Sequence, residues 1–295
     1  MAWTPVIVGI DGGLIHKGYH AYSGPNNAVT GLVRVLVNAL TLKRPVMAFV
    51  AWDTQHTWRH ERYDRYKANR APTPPELLAQ LEPAREAVAG LGVANVVLEG
   101  YEADDILATL AERAKARHLP SCIITGDTDL CQLIDKDTEV RLIPSGGGFG
   151  VTEIMTADRW ERKKGYPPHL IAEFKALAGD PSDNIPGFKG VGKKTALALL
   201  KEYGDLDGVL KNAWQIKGAI GRRIYYGNDE ALLWKELTTV CREAPVEITA
   251  GELKWQFDPH RACACLERLS VLDEGLRGKL MRLAGTVSET KRSAG

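Results

Sequence analysis

The sequence predicts an α/β protein with a mainly parallel β-sheet and helices on both faces, followed by a smaller helical region. In the first half of the 295-residue chain, short apolar runs rich in β-branched residues alternate with segments whose apolar residues recur at helical spacing. From about residue 168 onward, short helical patterns joined by glycines replace the strand patterns. Strand–helix alternation indicates a parallel sheet, because each parallel connection needs a long crossover.

The first half contains five strand-like runs, each bounded by Gly, Asp or Pro, and their continuous apolar character is typical of buried strands. The predicted strands are residues 5–10, 45–52, 93–98, 121–125 and 139–143, and the predicted helices between them are 29–42, 76–91 and 103–118. In the second half the predicted helices are 169–178, 191–203, 205–212, 218–225 and 229–242, with a short strand at 247–250.

These patterns divide the chain into three parts. We expect an α/β domain over residues 1–165, a helical region over 166–245, and a C-terminal segment over 246–295 that packs on the core and ends in a frayed tail. Within the first part, residues 54–75 fit neither pattern and form a long connection between a strand and a helix. Connections of that length in compact domains are usually functional or disordered.

The composition is that of an ordinary globular chain, and 38 basic residues nearly balance 37 acidic ones. Taken alone, this balance argues against a dedicated nucleic-acid binder. The five cysteines form no C-x-x-C pair, which argues against a zinc site or a disulfide framework and fits a reducing compartment. With neither a secretory leader pattern nor a long apolar run, we expect a cytoplasmic protein without membrane partners.

Acidic residues follow four of the predicted strands. They are Asp11, Asp53, the group Glu102, Asp104 and Asp105, and the pair Asp127 and Asp129. Because the carboxyl ends of parallel strands lie at one edge of a sheet, these side chains should converge there. A single Asp after a strand is often only a turn or cap residue. Repeated placement at four strand ends favours a functional cluster.

A cluster of carboxylates needs positive charge, because like charges a few ångströms apart repel one another. All-oxygen ligands favour Mg²⁺ or Mn²⁺ over zinc, and the number of carboxylates predicts two or more ions. Paired metals about 4 Å apart are the recurring device of phosphodiester hydrolysis.

Residues 187–194 form a glycine-rich turn that leads into a predicted helix. Such a turn presents backbone N–H groups and the positive end of the helix dipole to a phosphate. Its candidate DNA-binding residues are Gly187, Lys189, Gly190, Gly192, Lys193 and Lys194. The spacing is not that of a Walker A loop. Asp180 and Asp183, just before the turn, would join the metal cluster if this loop folds against the sheet edge.

Two further segments are basic. Residues 54–75 hold five basic side chains interleaved with Trp58, Tyr63 and Tyr66, a composition that suits a single nucleic-acid strand; a solvated surface helix is the alternative for the charges alone. Residues 208–228 carry four basic side chains and no acid, which predicts a second contact with a DNA backbone.

With these motifs in view, the chain resembles the 5′–3′ exonuclease domain of bacterial DNA polymerase I and the stand-alone phage flap endonucleases. The matching stretches run in family order over roughly residues 5–245: IVGIDGG, the strand end at Asp53, RYKANR, EADDILATLA, TGDTDL and GDPSDNIPGFKGVGKKTA. The resemblance implies a PIN-like α/β nuclease fold with a helix–three-turn–helix DNA-binding element. It also implies that residues 54–75 form a clamp or arch, and it leads us to expect a stand-alone nuclease that acts as a monomer.

The resemblance also implies roles for individual residues. One metal group would be Asp11, Asp53, Glu102, Asp104 and Asp105, and the other would add Asp127, Asp129, Asp180 and Asp183. Lys67 and Arg70 would contact the scissile phosphate, with Arg59 and Tyr66 as further DNA contacts of the clamp, Tyr66 by stacking on a base. The 187–194 turn would hold the duplex backbone together with a K⁺ ion.

We therefore expect a Mg²⁺-dependent structure-specific 5′ nuclease, with Lys67, Arg70, Asp11, Asp53, Asp104, Asp105, Asp127 and Asp129 as its catalytic residues. Its substrate would be branched or 5′-ended DNA, with the use of RNA-primed strands left open. One alternative is a branched-DNA-binding protein that does not cut. A small-molecule phosphohydrolase of the aspartate-nucleophile type is the other, but it needs a second Asp at position 13, which is Gly.

The charge balance fits a nuclease once the acidic cluster is set apart. Removing its nine acids leaves 28 acidic residues against 38 basic ones. The rest of the chain then carries an excess of about ten positive charges, which suits a DNA-facing surface.

Overall fold

The computed structural model describes residues 6–143 and 152–293, with side chains to residue 285. Its centre is a six-stranded sheet in the order β3-β2-β1-β4-β5-β6. The strands are β1 (Ile7–Asp11), β2 (Met47–Trp52), β3 (Ala94–Val97), β4 (Ser121–Thr125), β5 (Thr138–Leu142) and β6 (Glu153–Met155). The first five are parallel to their neighbours, and β6 is antiparallel to β5. The predicted mainly parallel sheet is confirmed, and β6 is an addition that the sequence patterns did not reveal.

Helices cover both faces of this sheet, as predicted. The helices of the first half are α1 (Leu14–Ala21), α2 (Asn27–Lys43), α3 (Trp58–Arg62), α4 (Pro75–Leu78), α5 (Leu81–Gly90), α6 (Ala103–Lys115) and α7 (Ala157–Lys164). Alternate side chains of a strand point to opposite faces. On β2, Phe49 packs in the apolar layer that contains Leu107 of α6, whereas Val50 packs in the layer that contains Leu36 of α2.

The helical region that follows shares an apolar layer with one face of the sheet. Its helices are α8 (Ile171–Ala178), α9 (Lys193–Tyr203), α10 (Leu206–Lys211), α11 (Gly218–Tyr226) and α12 (Asn228–Thr238). Leu177, Leu199 and Leu237 from these helices are buried in the same cluster as Leu107. This shared core fixes the helical region against the sheet, so that a site can form between them.

The remaining helices are α13 (Ala250–Leu253), α14 (Pro259–Arg268) and α15 (Glu274–Ser293). The predicted strand at 247–250 is wrong, because Thr249 caps α13 by accepting a hydrogen bond from the Glu252 N–H. Helix α14 packs against α5, and α15 packs against α14 and α2. The tail expected to be frayed is helical as far as Ser293, and residues 294–295 lie outside the described chain. None of the helices in the described residues is long and apolar enough to span a membrane.

Candidate metal centre and nucleic-acid interface

Five carboxylates from four segments line one cavity at the carboxyl edge of the sheet. The cavity has a volume of about 810 Å³. Its acidic lining, here called the first acidic group, consists of Asp11, Asp53, Glu102, Asp104 and Asp127. Strands β1, β2, β3 and β4 are parallel neighbours, so their ends deliver these residues to the same edge. The convergence predicted from the strand ends is therefore present for five of the seven carboxylates, whereas Asp105 and Asp129 do not line this cavity.

Asp11 is held rigidly at the end of β1. One carboxylate oxygen accepts the Gly13 N–H at 2.7 Å, and the other accepts the Thr125 hydroxyl at 2.7 Å. Any side chain at position 13 would place its Cβ 2.8 Å from that first oxygen, which explains the glycine there. Burial, and next the charge of Asp53, raise the pKa of Asp11 to about 6.

The start of α6 positions two other members of the first acidic group, Asp53 and Glu102. Asp53 accepts the Ala103 N–H at 2.8 Å, and Glu102 is the N-cap residue of the helix. Asp104 lies in the first helical turn, where burial and the charge of Asp127 raise its pKa well above the usual range for an aspartate. Carboxylates whose pKa values rise in this way form a site that favours a bound cation.

A second acidic group consists of Asp129, Asp180 and Asp183. One carboxylate oxygen from each lies within 4.8 Å of the others, a spacing that fits a single metal ion. All three side chains are buried. Burial, followed by the charge of Asp127, raises the pKa of Asp129 to about 7. The second group lies where the helical region meets the sheet, as expected for a loop that folds against the sheet edge.

Lys175 neutralises part of this second group, a role that none of the sequence motifs predicted. Its ammonium contacts Asp129 and lies 2.5 Å from a carboxylate oxygen of Asp180. Lys175 lies on α8, five residues before Asp180, and its side chain is only 17% exposed. The one sequence signal was a basic residue on the predicted helix directly before the GDPSDN motif.

The clamp, residues 54–75, lies across both acidic groups. Lys67 donates to Glu102 of the first group at 2.6 Å, and Arg70 donates to Asp183 of the second at 2.7 Å. The backbone of the clamp is also attached to the turn at 180–184, since the Lys67 N–H donates to the Asp183 carbonyl at 3.1 Å. The predicted catalytic cations therefore face the carboxylates.

The expected roles of Arg59 and Asp105 need correction. Arg59 is 2% exposed and Asp105 is fully buried, so neither can reach DNA or the cavity. The Arg59 guanidinium donates to both Asp105 oxygens, at 2.7 and 2.8 Å, and Asp105 also accepts the Cys241 N–H at 2.8 Å. Both oxygens of Asp105 are occupied. Asp127, which the resemblance assigned to the second metal group, lines the cavity with the first acidic group instead.

Tyr66 also differs from its expected role. It is 2% exposed, and its hydroxyl lies 3.2 Å from oxygens of both Glu102 and Asp183. Because the ring is buried, it is not free to stack on a base. Its position instead links the two acidic groups through one hydroxyl.

The glycine turn presents an exposed surface before α9. Lys189, Gly190, Gly192, Lys193 and Lys194 are exposed. Gly192 is the N-cap of α9, and no atom lies within 4 Å of the place its Cβ would take, so the helix start is open to a ligand. Gly187 is buried instead, and a Cβ there would lie 2.2 Å from the Gly179 nitrogen. It therefore shapes the turn rather than contacting DNA directly.

Acidic strand ends that face lysine and arginine, beside an open helix start, are typical of nucleases. The comparisons agree. The family model described as "5'-3' exonuclease, N-terminal resolvase-like domain" matches residues 7–165, and the model described as "5'-3' exonuclease, C-terminal SAM fold" matches residues 166–260. The chain belongs to the 5′–3′ exonuclease family.

The curated relatives support the same family assignment. DNA polymerase I of Bacillus subtilis is 36% identical over 279 residues, which cover 94% of this chain and 30% of that protein. The thermostable DNA polymerase I of Thermus aquaticus is 38% identical over 263 residues, which cover 87% of this chain and 31% of that protein. The chain thus spans about a third of the length of these relatives.

Solved structures share the fold at low sequence identity. The D15 protein of T5, crystallised with metal ions, superposes with a TM-score of 0.68 at 16% identity, covering 95% of this chain and 99% of that one. The catalytic core of Rad2 in complex with DNA substrate gives a TM-score of 0.63 at 15% identity, covering 95% and 93% of the two chains.

Proposed function

We propose that this chain is a structure-specific 5′ nuclease that hydrolyses phosphodiester bonds of branched and 5′-ended DNA. The observation that carries the proposal is the placement of the clamp, whose Lys67 and Arg70 bridge two acidic groups at one sheet edge. A site with so many carboxylates and its own cations suits an anionic substrate bound through divalent ions. Membership of the 5′–3′ exonuclease family supports the same reaction.

We propose Mg²⁺ as the cofactor, with Mn²⁺ able to replace it. Asp11, Asp53, Asp104 and Asp127 would hold one ion with support from Glu102, and Asp129, Asp180 and Asp183 would hold another. The donors are all carboxylate oxygens, which is the set that these hard cations prefer. Bound there, the ions would supply an activated water and neutralise charge that develops on the phosphate.

The residues of the chain would position the DNA. The guanidinium of Arg70 presents a planar fork that suits a phosphate, and Lys67 adds a point charge beside it. Lys193 and Lys194 at the start of α9 would hold the duplex backbone, with K⁺ as a further ligand of the turn.

The products would carry a 5′-phosphate and a 3′-hydroxyl. We propose that the protein acts as a monomer in the cytoplasm.

Cleavage-site mapping tests this proposal. A labelled 5′-flap substrate, a blunt duplex and a flap with an RNA-primed strand are incubated with the protein in Mg²⁺ and, separately, in EDTA. We expect cuts at the flap junction and at 5′ ends in Mg²⁺ only. Binding of the flap without any cutting in Mg²⁺ or Mn²⁺ would instead indicate a non-catalytic branched-DNA-binding protein.

A further inference from the structure

A second groove lies on the helical region, outside both acidic groups. It has a volume of about 620 Å³ and runs between the glycine turn, α11 and the start of α12. Its floor is apolar, formed by the buried rings of Phe188 and Trp234, whose centroids are 5.2 Å apart. Its charged lining residues are Lys189, Arg222, Arg223 and Glu230. Three cations against one carboxylate make it a groove that favours an anion.

Helix α11 presents an unusual stripe to this groove. Ala219, Arg222, Arg223 and Tyr226 recur at the spacing that places them on one face of a helix. The opposite face, with Gly221 and Ile224, is buried in the protein. Tyr226 is 81% exposed, although an aromatic ring at a helical spacing is usually core. An exposed aromatic beside arginines is the composition that binds single-stranded nucleic acid.

The groove is continuous with the glycine turn. Arg223 on α11 donates to the Lys189 carbonyl in the turn at 2.8 Å. This hydrogen bond holds α11 against the glycine turn. At the end of α11, a Cβ on Gly227 would lie 2.7 Å from the Phe188 ring, so the absence of a side chain lets α11 approach the turn closely. A nucleic-acid strand that contacts the turn can therefore extend directly over Tyr226.

We propose that this groove binds an unpaired nucleotide of the DNA held by the 187–194 turn, with Arg222 contacting its phosphate and Tyr226 stacking on its base. The proposal rests on the proposed function, because it needs DNA at the turn. Within residues 6–143 and 152–285, the side chains of Arg222 and Tyr226 have no hydrogen-bond partner, which leaves both available to a ligand. The groove would thus recognise a duplex that carries a single-stranded extension.

The test compares Tyr226→Ala with two matched variants. Tyr226→Phe keeps the aromatic face, and Leu232→Ala removes an apolar side chain that is 46% exposed on α12 but does not line the groove. Fluorescence anisotropy in EDTA measures the binding of a blunt duplex and of the same duplex with a thymidine overhang at either the 5′ or the 3′ end. We expect Tyr226→Ala to weaken binding of one overhang duplex about 5- to 150-fold, the range for loss of one base stack.

The blunt duplex should bind Tyr226→Ala as it binds the unaltered protein, and the Tyr226→Phe and Leu232→Ala variants should bind every probe normally. The overhang whose binding falls identifies which strand enters the groove. Unchanged binding of both overhangs by Tyr226→Ala would overturn the proposal, and so would equal weakening of the blunt and overhang duplexes, since that outcome places paired DNA on the groove. Flap cleavage by the unaltered protein in Mg²⁺ separately decides the proposed nuclease function.

Discussion

Arg59 and Asp105 form a buried ion pair with two parallel hydrogen bonds of 2.7 and 2.8 Å. Arg59 lies on α3 at the base of the clamp and also donates to the Leu237 carbonyl at the end of α12 at 2.9 Å. Asp105 lies on α6 beside the first acidic group. The pair therefore joins the clamp, the sheet domain and the helical region at one point.

Removing either partner should destabilise the protein strongly. Arg59→Ala leaves the Asp105 carboxylate buried without its counter-charge, and such losses cost about 3 to 5 kcal/mol. Urea denaturation measures the free energy of unfolding. Arg62→Ala is the control, because its ion pair with Glu236 is exposed. Loss of that pair should lower the free energy of unfolding by at most about 1 kcal/mol. If Asp105→Asn leaves stability unchanged and weakens metal binding instead, Asp105 is a metal ligand after all.

Asp129→Asn should abolish most of the cleavage and leave DNA binding intact. Loss of a ligand from a catalytic metal site removes several kcal/mol of transition-state stabilisation, so the rate on a flap should fall at least about 100-fold. Single-turnover cleavage in Mg²⁺ gives the rate, and anisotropy in EDTA gives the affinity. Asp135→Asn, which alters an exposed aspartate paired with Lys115, should cut normally. An unchanged rate in Asp129→Asn would remove this residue from the site.

Lys175→Met should destabilise the metal-free protein and spare the metal-loaded one. Without the ammonium, Asp129 and Asp180 lie buried and unpaired, at a cost of about 3 to 5 kcal/mol in EDTA. Mn²⁺ bound to the second acidic group would replace the missing charge and restore the melting temperature. Lys163→Met, at a side chain that is 60% exposed, should change neither condition. A loss of equal size with and without Mn²⁺ would show that no ion binds beside Lys175.

Stability in EDTA should fall as the pH rises. The folded protein raises the pKa of Asp11 to about 6 and that of Asp129 to about 7, chiefly by burial, from an ordinary value of 3.8. The folded state therefore holds these protons more tightly than the unfolded chain, so their contribution is complete below about pH 4 and is lost as the pH rises through about 7.

Saturating Mg²⁺ should remove this pH-dependent loss, because metal ions bind the deprotonated carboxylates. Melting temperatures at several pH values, in EDTA and in Mg²⁺, measure the effect. The double variant Asp11→Asn with Asp129→Asn is the control, and its stability in EDTA should depend less on pH. The same pH slope in this variant and in the unaltered protein would contradict the prediction.

The sequence predicts the sheet and the first acidic group well, because both follow from local patterns. Buried strands are visible as short apolar runs, and parallel topology fixes which ends meet. Asp11, Asp53 and Asp127 therefore fall at the cavity as predicted. The short β6 lacks such a pattern, since its three residues carry only two apolar side chains.

The sequence does not show which of the neighbours Asp104 and Asp105 faces the cavity. Neighbours on a helix point about 100° apart, so only one of the two can face the cavity. The choice is made by Arg59, which lies 46 residues earlier in a segment without periodicity. The contact between Lys175 and Asp129 could not be predicted for the same reason. It is formed by the tertiary packing of α8 and not by a local sequence pattern.

The order of the strands also has a consequence for the growing polypeptide. Asp11 stands on the central strand, but the hydroxyl that fixes its carboxylate belongs to Thr125, 114 residues later. During synthesis on the ribosome, the carboxyl edge of the sheet around Asp11 is incomplete until β4 has been made and has paired with β1. A nascent chain therefore has no assembled acidic cavity until most of the α/β part has emerged.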